Sequence, residues 1–117
     1  MAYYEVKKAS DPENKTVLEQ KHIPFIQAPD RAKKGEYFQV SIKMGKEIDH
    51  PMEAGHFIQY VDLYADYYHL GRVNFTPEAK AEAVLTIKLE ESCTLRAYEL
   101  CNLHGQWESS LKIIVED

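Results

Sequence analysis

Three stretches of this chain alternate apolar and polar residues with a period of two, and that pattern limits the folds open to it. In Tyr37 to Met44, Phe38, Val40, Ile42 and Met44 share one face while Gln39, Ser41 and Lys43 share the other. Ala83, Leu85, Ile87 and Leu89 repeat this against Thr86, Lys88 and Glu90, and Trp107, Leu111, Ile113 and Val115 line one side of the last run. Successive side chains of an extended chain point to opposite sides, so each stretch reads as a half-buried strand. Phe57 to Tyr64 is rich in β-branched and aromatic residues with blurred alternation, as expected of a strand covered on both faces. Ser92 to Cys101 alternates less well because Glu99 falls in register with Leu95 and Cys101, which marks a bulge or a functional end. The best helix candidate, Thr76 to Ala83, is short and reads equally well as a loop. Short strands with little helical periodicity predict an all-β fold, an antiparallel β-sandwich.

At 117 residues with 44% apolar content, the chain is long enough to bury a core without disulfide staples. One domain over residues 1–117 is expected, with residues 1–18 a variable N-terminal segment. Two cysteines, Cys93 and Cys101, exclude a disulfide-dense scaffold and favour free thiols in a reducing compartment. The net charge of -5 argues against binding nucleic acid, which needs concentrated Lys and Arg. The N-terminal residues lack the apolar stretch of a signal peptide, and no run is long enough to span a bilayer. A soluble, cytoplasmic protein is expected.

The chemistry concentrates in three places. Cys101-Asn102-Leu103-His104-Gly105 sets a thiol and an imidazole three residues apart in a turn, a spacing that lets both reach one metal ion. Taken alone, it fits a buried Cys with an incidental surface His equally well. His50-Pro51-Met52-Glu53-Ala54-Gly55-His56 does not place its histidines on one helix face, and Pro51 and Gly55 disfavour a helix, so this pair belongs to a loop. Such a loop can bring two ligands to a rigid scaffold, although two solvated histidines are the commoner outcome. Lys21-His22-Ile23-Pro24 supplies a further histidine beside a cation. Convergence of all three segments would gather four imidazoles and one sulfur. Five ligands are too many for structural zinc, which favours four. Iron fits better, with an axial thiolate and one open position.

Lys21-His22-Ile23-Pro24, Gly45-Lys46-Glu47 leading into His50-Pro51 with His56, and Cys101-Asn102-Leu103-His104-Gly105-Gln106-Trp107-Glu108-Ser109 resemble the iron domain of superoxide reductase, the neelaredoxin and desulfoferrodoxin family. The resemblance runs from about Lys21 to the C-terminus, with three separated segments in matching order. It implies an immunoglobulin-like β-sandwich and one mononuclear non-heme iron held by His22, His50, His56, His104 and Cys101. It also implies one-electron reduction of superoxide to hydrogen peroxide, with rubredoxin or a similar donor restoring Fe(II). With no CxxC-bearing module ahead of the domain, the chain resembles the single-iron class. An iron-binding electron carrier without superoxide turnover is the alternative, and a metal-free interaction domain is a second.

Lys21 is the candidate catalytic residue, a local cation that attracts an anionic substrate and organises a proton-donating water. Within a Debye length of about 8 Å such a cation outweighs distant carboxylates. Many relatives carry Glu-Lys-His where this chain has Gln20-Lys21-His22. Glu19 lies one residue earlier, and in an extended segment it would point to the opposite face, so the oxidised site is expected to take water or hydroxide rather than a carboxylate. Cys93 is expected in the core, His69 at the surface and Trp107 beside the metal loop. Edge strands and exposed tyrosines favour a homo-oligomer, a dimer or tetramer.

Overall fold

The computed structural model describes residues 4–117. In chain order the elements are β1 (Val6–Lys7), α1 (Val17–His22), β2 (Pro24–Gln27), β3 (Arg31–Lys33), β4 (Phe38–Met44), β5 (Ile58–Ala65), β6 (Tyr68–Asn74), β7 (Glu82–Ile87), β8 (Cys93–Cys101) and β9 (Gly105–Glu116). They form two sheets: β1-β9-β8-β5-β6, with β3 also on β9, and β2-β4-β7. The strands read from the sequence appear within a residue or two of their expected limits, and the two-sheet sandwich is as expected. Antiparallel pairing is interrupted only where β1 and β3, of two and three residues, run parallel to β9.

The alternating residues meet between the sheets. Val40, Ile42 and Met44 of β4 join Ile58, Val61 and Leu63 of β5, Leu95 and Ala97 of β8 and Ile113 of β9 in one cluster, each at most 1% exposed. Burial of each large aliphatic side chain favours the fold by roughly 1.5–3 kcal/mol. β5 buries Val61, Asp62 and Leu63 in succession, so its centre is covered on both faces, which accounts for its blurred alternation.

Two open readings are resolved and one expectation is corrected. Of the two readings of Thr76 to Ala83 the loop is found, not the helix: Ala79 N–H closes a single turn on the Thr76 carbonyl and β7 starts at Glu82. β8 carries no bulge against β9, with which it pairs without a break from Cys93 to Cys101; the irregularity near this end lies between Ile58 and Tyr60 of β5. Glu99 therefore points inward with Leu95, Ala97 and Cys101 and is fully buried. The segment before His22 is helical rather than extended. Thr16 and Glu19 form a capping box there: Glu19 N–H donates to Thr16 Oγ1 at 3.1 Å and Thr16 N–H to Glu19 Oε1 at 2.8 Å. The reciprocal bonds satisfy two donors that a helix start leaves unpaired.

Candidate metal centre

α1, the loop between β4 and β5, and the β8–β9 turn come together at one end of the sandwich. The turn is tight, with Cys101 paired to Gly105 across Asn102, Leu103 and His104. Gly105 adopts φ 77°, a left-handed conformation that suits glycine and closes a three-residue hairpin loop. In the β4–β5 loop, Glu53 and His56 exchange backbone hydrogen bonds at 3.0 Å, which folds the segment back and aims His56 towards the turn. Gly45, where that loop begins, is pressed against α1. A Cβ there would collide with the Gln20 carbonyl and lie 2.9 Å from the Ile48 carbonyl oxygen.

The imidazoles of His22, His50, His56 and His104 form a closed ring. Neighbouring centroids are 4.5 Å apart for His22 and His50, 4.6 Å for His50 and His56, 5.0 Å for His56 and His104, and 4.9 Å for His104 and His22. Adjacent planes are steeply inclined, by 72–85°. Across the ring, His22 and His56 are 6.2 Å apart and inclined by only 30°. Cys101 Sγ lies 3.4 Å from His50 Nε2 and 3.8 Å from His104 Nδ1. It thus touches both members of the other opposing pair. The ligating atoms of His22, His56, Cys101 and His104 all lie within 4.8 Å of one another.

The hydrogen bonds around the ring fix how its nitrogens face inward. His22 Nδ1 lies 2.7 Å from the Leu18 carbonyl oxygen and His50 Nδ1 2.7 Å from that of Pro51, so each Nδ1 carries the proton and donates it. Nε2 of both rings is then a bare lone pair, yet the two are 3.0 Å apart. Two acceptors at that distance repel unless a cation lies between them. Protonation is opposed, because burial first, with neighbouring imidazoles adding to it, lowers the pKa of His22 to about 3 and of His50 to about 4. A metal ion meets the requirement: nitrogens bonded at about 2.1 Å and at right angles on one ion are about 3 Å apart. His56 Nε2, buried with no hydrogen-bond partner among the described residues, points to the same need. A backbone carbonyl holding Nδ1–H is also the usual way a ligating imidazole is oriented.

Burial raises the Cys101 thiol above its usual range, and backbone N–H groups of His104 and Leu103 act in the opposite direction. Those donors prepare the sulfur for the thiolate form that a bound ion enforces. Glu99, on the same face two residues before Cys101, has its carboxyl pushed well above its ordinary range by burial. His22 and His50 are buried while His56 and His104 are half-buried, so the ring opens to solvent on the latter side.

Lys21 is half-buried, and its charge acts on His50 and His104. Gln20 turns away from the ring, its Nε2 donating to the Lys15 carbonyl at 3.0 Å. Glu19 is buried in the helix cap, where its second oxygen accepts from Ser10 N–H at 3.1 Å. Neither side chain is directed at the site, and for Glu19 the reason is its capping role rather than strand geometry. His69 stands apart with Asp62, 2.9 Å away, and Cys93 is half-buried against the core. Trp107 is buried beside the metal loop as expected, stacked on His22 at 4.9 Å and donating from Nε1 to the His104 carbonyl at 3.2 Å.

Asn102 went unremarked in the sequence, although it sits inside the Cys101–His104 motif. Its Oδ1 accepts from Phe57 N–H at 2.9 Å, its Nδ2 donates to the Gly55 carbonyl at 3.0 Å, and its own N–H donates to the Phe57 carbonyl at 3.2 Å. It bolts the loop carrying His56 to the turn carrying Cys101 and His104. Asn102→Ala is expected to weaken metal binding by about 10- to 100-fold while leaving the sandwich folded, measured by competition with a chromophoric chelator.

The sequence profile of the desulfoferrodoxin family matches residues 14–110. This chain belongs to the desulfoferrodoxin family. A Methanocaldococcus jannaschii protein provisionally named a superoxide reductase is 45% identical over 105 residues, covering 86% of this chain and 89% of its own. Among solved structures, the superoxide reductase (neelaredoxin) of Ignicoccus hospitalis is 40% identical with a TM-score of 0.74, covering 81% of each chain. The superoxide reductase of Nanoarchaeum equitans is 31% identical with a TM-score of 0.74, covering 93% of this chain and 100% of its own. The immunoglobulin-like sandwich expected of a desulfoferrodoxin domain is the fold observed. No helix among the described residues is long and apolar enough to cross a membrane.

Proposed function

We propose that this desulfoferrodoxin-family chain is a superoxide reductase, a single cytoplasmic domain holding one non-heme iron through His22, His50, His56, His104 and Cys101. The observation that carries this reading is the closed imidazole ring with bare nitrogens 3.0 Å apart and a sulfur in contact with two of its members. Four neutral imidazoles and one sulfur are a donor set that suits iron, and the half-buried side at His56 and His104 would admit a small substrate. Ferrous iron held by these residues would supply one electron, so that superoxide, that electron and two protons become hydrogen peroxide. No dioxygen is released.

The chain's own residues supply the rest. The Cys101 sulfur, held by two backbone donors, would give a bound iron a strongly electron-donating ligand. Lys21 places a positive charge at the rim, where it draws in the anion and orders a water that donates protons to the product. Trp107 and the core shield the inner side of His22 from solvent. A small electron donor of the rubredoxin kind restores the ferrous state. Exposed Tyr67 and Tyr68, at 87% and 74%, support self-association of the chain.

Iron near one equivalent per chain, with a visible thiolate-to-Fe(III) absorption, is the expected result of loading the protein. Absence of that absorption from iron-loaded protein would contradict the ligand set. Since no carboxylate of α1 is directed at the ring, Glu19→Gln is expected to leave the oxidised spectrum unchanged. A shifted band in that variant would show that Glu19 leaves its cap to reach the iron.

A further inference from the structure

β1 is only two residues long, yet it places one lysine against the ligand turn. Lys7 pairs with Trp107 in the parallel register of β1 and β9. Its Nζ lies 4.8 Å from the centroid of the Trp107 ring and also donates a hydrogen bond to the His104 carbonyl oxygen. That carbonyl accepts Trp107 Nε1–H as well, so two donors from β1 and β9 converge on the backbone of a ring residue. Trp107 in turn stacks on His22 with planes inclined by 23°. A half-buried ammonium held both by an aromatic face and by a carbonyl keeps its charge in one place, unlike a solvated surface lysine.

We propose that Lys7 is a positioning residue of this site: its ammonium fixes a positive charge beside the Cys101–His104 turn and thereby favours the reduced, more electron-rich state of the bound iron. The inference rests on the reading of the ring as an iron centre. Electrostatics follow from the placement. A fixed cation stabilises whichever state of a neighbouring group carries one more electron, and near a partly dry site its effect is screened less than in water. The charge of Lys7 acts on Cys101, His104 and Glu99 alike, from one side of the turn. Lys21 also acts on His104, and in addition on His50, whereas Lys7 acts on Cys101 and Glu99.

The test compares Lys7→Gln, which keeps a donor but removes the charge, with Lys7→Arg, which keeps both. Iron-loaded proteins are titrated potentiometrically with mediator dyes while the thiolate-to-Fe(III) band is followed. Lys7→Gln is expected to disfavour reduction about tenfold, equivalent to a midpoint about 59 mV lower for a one-electron couple. Lys7→Arg is expected to stay close to the unsubstituted protein, with the band position kept in both. An unshifted midpoint in Lys7→Gln with the band intact would overturn the inference, as would an equal shift in Lys7→Arg, because the lysine would then act through its shape. Absence of the band from the unsubstituted protein would overturn the iron reading itself, and this inference with it.

Discussion

Cys101→Ser is expected to abolish the visible thiolate absorption of the iron-loaded protein and to reduce its reaction with superoxide by more than about 100-fold, the upper end of the loss typical of a mere outer partner of a metal ligand. Cys101 is fully buried, and backbone N–H groups of His104 and Leu103 aim at its sulfur. A serine hydroxyl in that place is not ionised by the same pull and forms a shorter, harder ligand. The imidazole ring stays in place, since its four residues come from α1, the β4–β5 loop and the β8–β9 turn, and its bonds to Leu18 and Pro51 do not involve the sulfur. Metal therefore remains measurable while band and reactivity go. Retention of the band in Cys101→Ser would rule out Cys101 as the sulfur ligand.

The second large effect is on pH. In the metal-free protein, His22 and His50 titrate near 3 and 4 instead of the ordinary 6.5, chiefly because burial disfavours their charged forms. The carbonyls of Leu18 and Pro51 oppose that shift without reversing it. As pH falls through about 6.5 the unfolded chain takes up protons that the folded chain refuses until near 4 and 3. Excess proton binding by the unfolded state makes stability fall with falling pH. The contribution is whole above about pH 6.5 and drains away down to the folded values. One pKa unit corresponds to about 1.4 kcal/mol, so these two histidines together cost the metal-free fold on the order of several kcal/mol at pH 4. Iron loading fails in the same direction, because ligands must be unprotonated. Urea midpoints of the metal-free protein at pH 7.5 and pH 5 are expected to differ clearly, with the lower at pH 5. Equal midpoints would contradict the burial of these imidazoles.

What could be read beforehand follows from the range of the forces involved. Strands β4, β7 and β9 announce themselves because one face of each meets the core, so the alternation is written locally, whereas in β8 the buried Glu99 stands at an inward position and blurs it. β1 and β3 are too short to carry a period and exist only because β9 offers them an edge. β6 has the pattern Tyr68-His69-Leu70-Gly71-Arg72-Val73-Asn74, with little of it buried, and no local signal distinguishes such a strand from a loop. α1 has six residues, too few for an apolar stripe to emerge. Its capping box, Thr16 with Glu19, is legible as a spacing, and it makes the segment helical rather than extended.

The site was legible in its residue types. Five donors in three segments can be found by inspection, and the resemblance to superoxide reductases ordered them. The tautomers of His22 and His50 were not legible, since they depend on carbonyls whose positions are set by a helix end and a proline loop. Neither was Asn102, whose two side-chain bonds reach residues 45 and 47 positions away. Lys7 lies 97 positions from the carbonyl it binds, so only the parallel pairing of β1 with β9 reveals it.

Rapid mixing of the ferrous protein with superoxide tests the central claim most directly. The account predicts second-order oxidation approaching the diffusion limit of about 10⁹ M⁻¹s⁻¹, one hydrogen peroxide formed for each superoxide consumed, and no dioxygen. Absence of a bimolecular oxidation, or release of dioxygen alongside the peroxide, would contradict it.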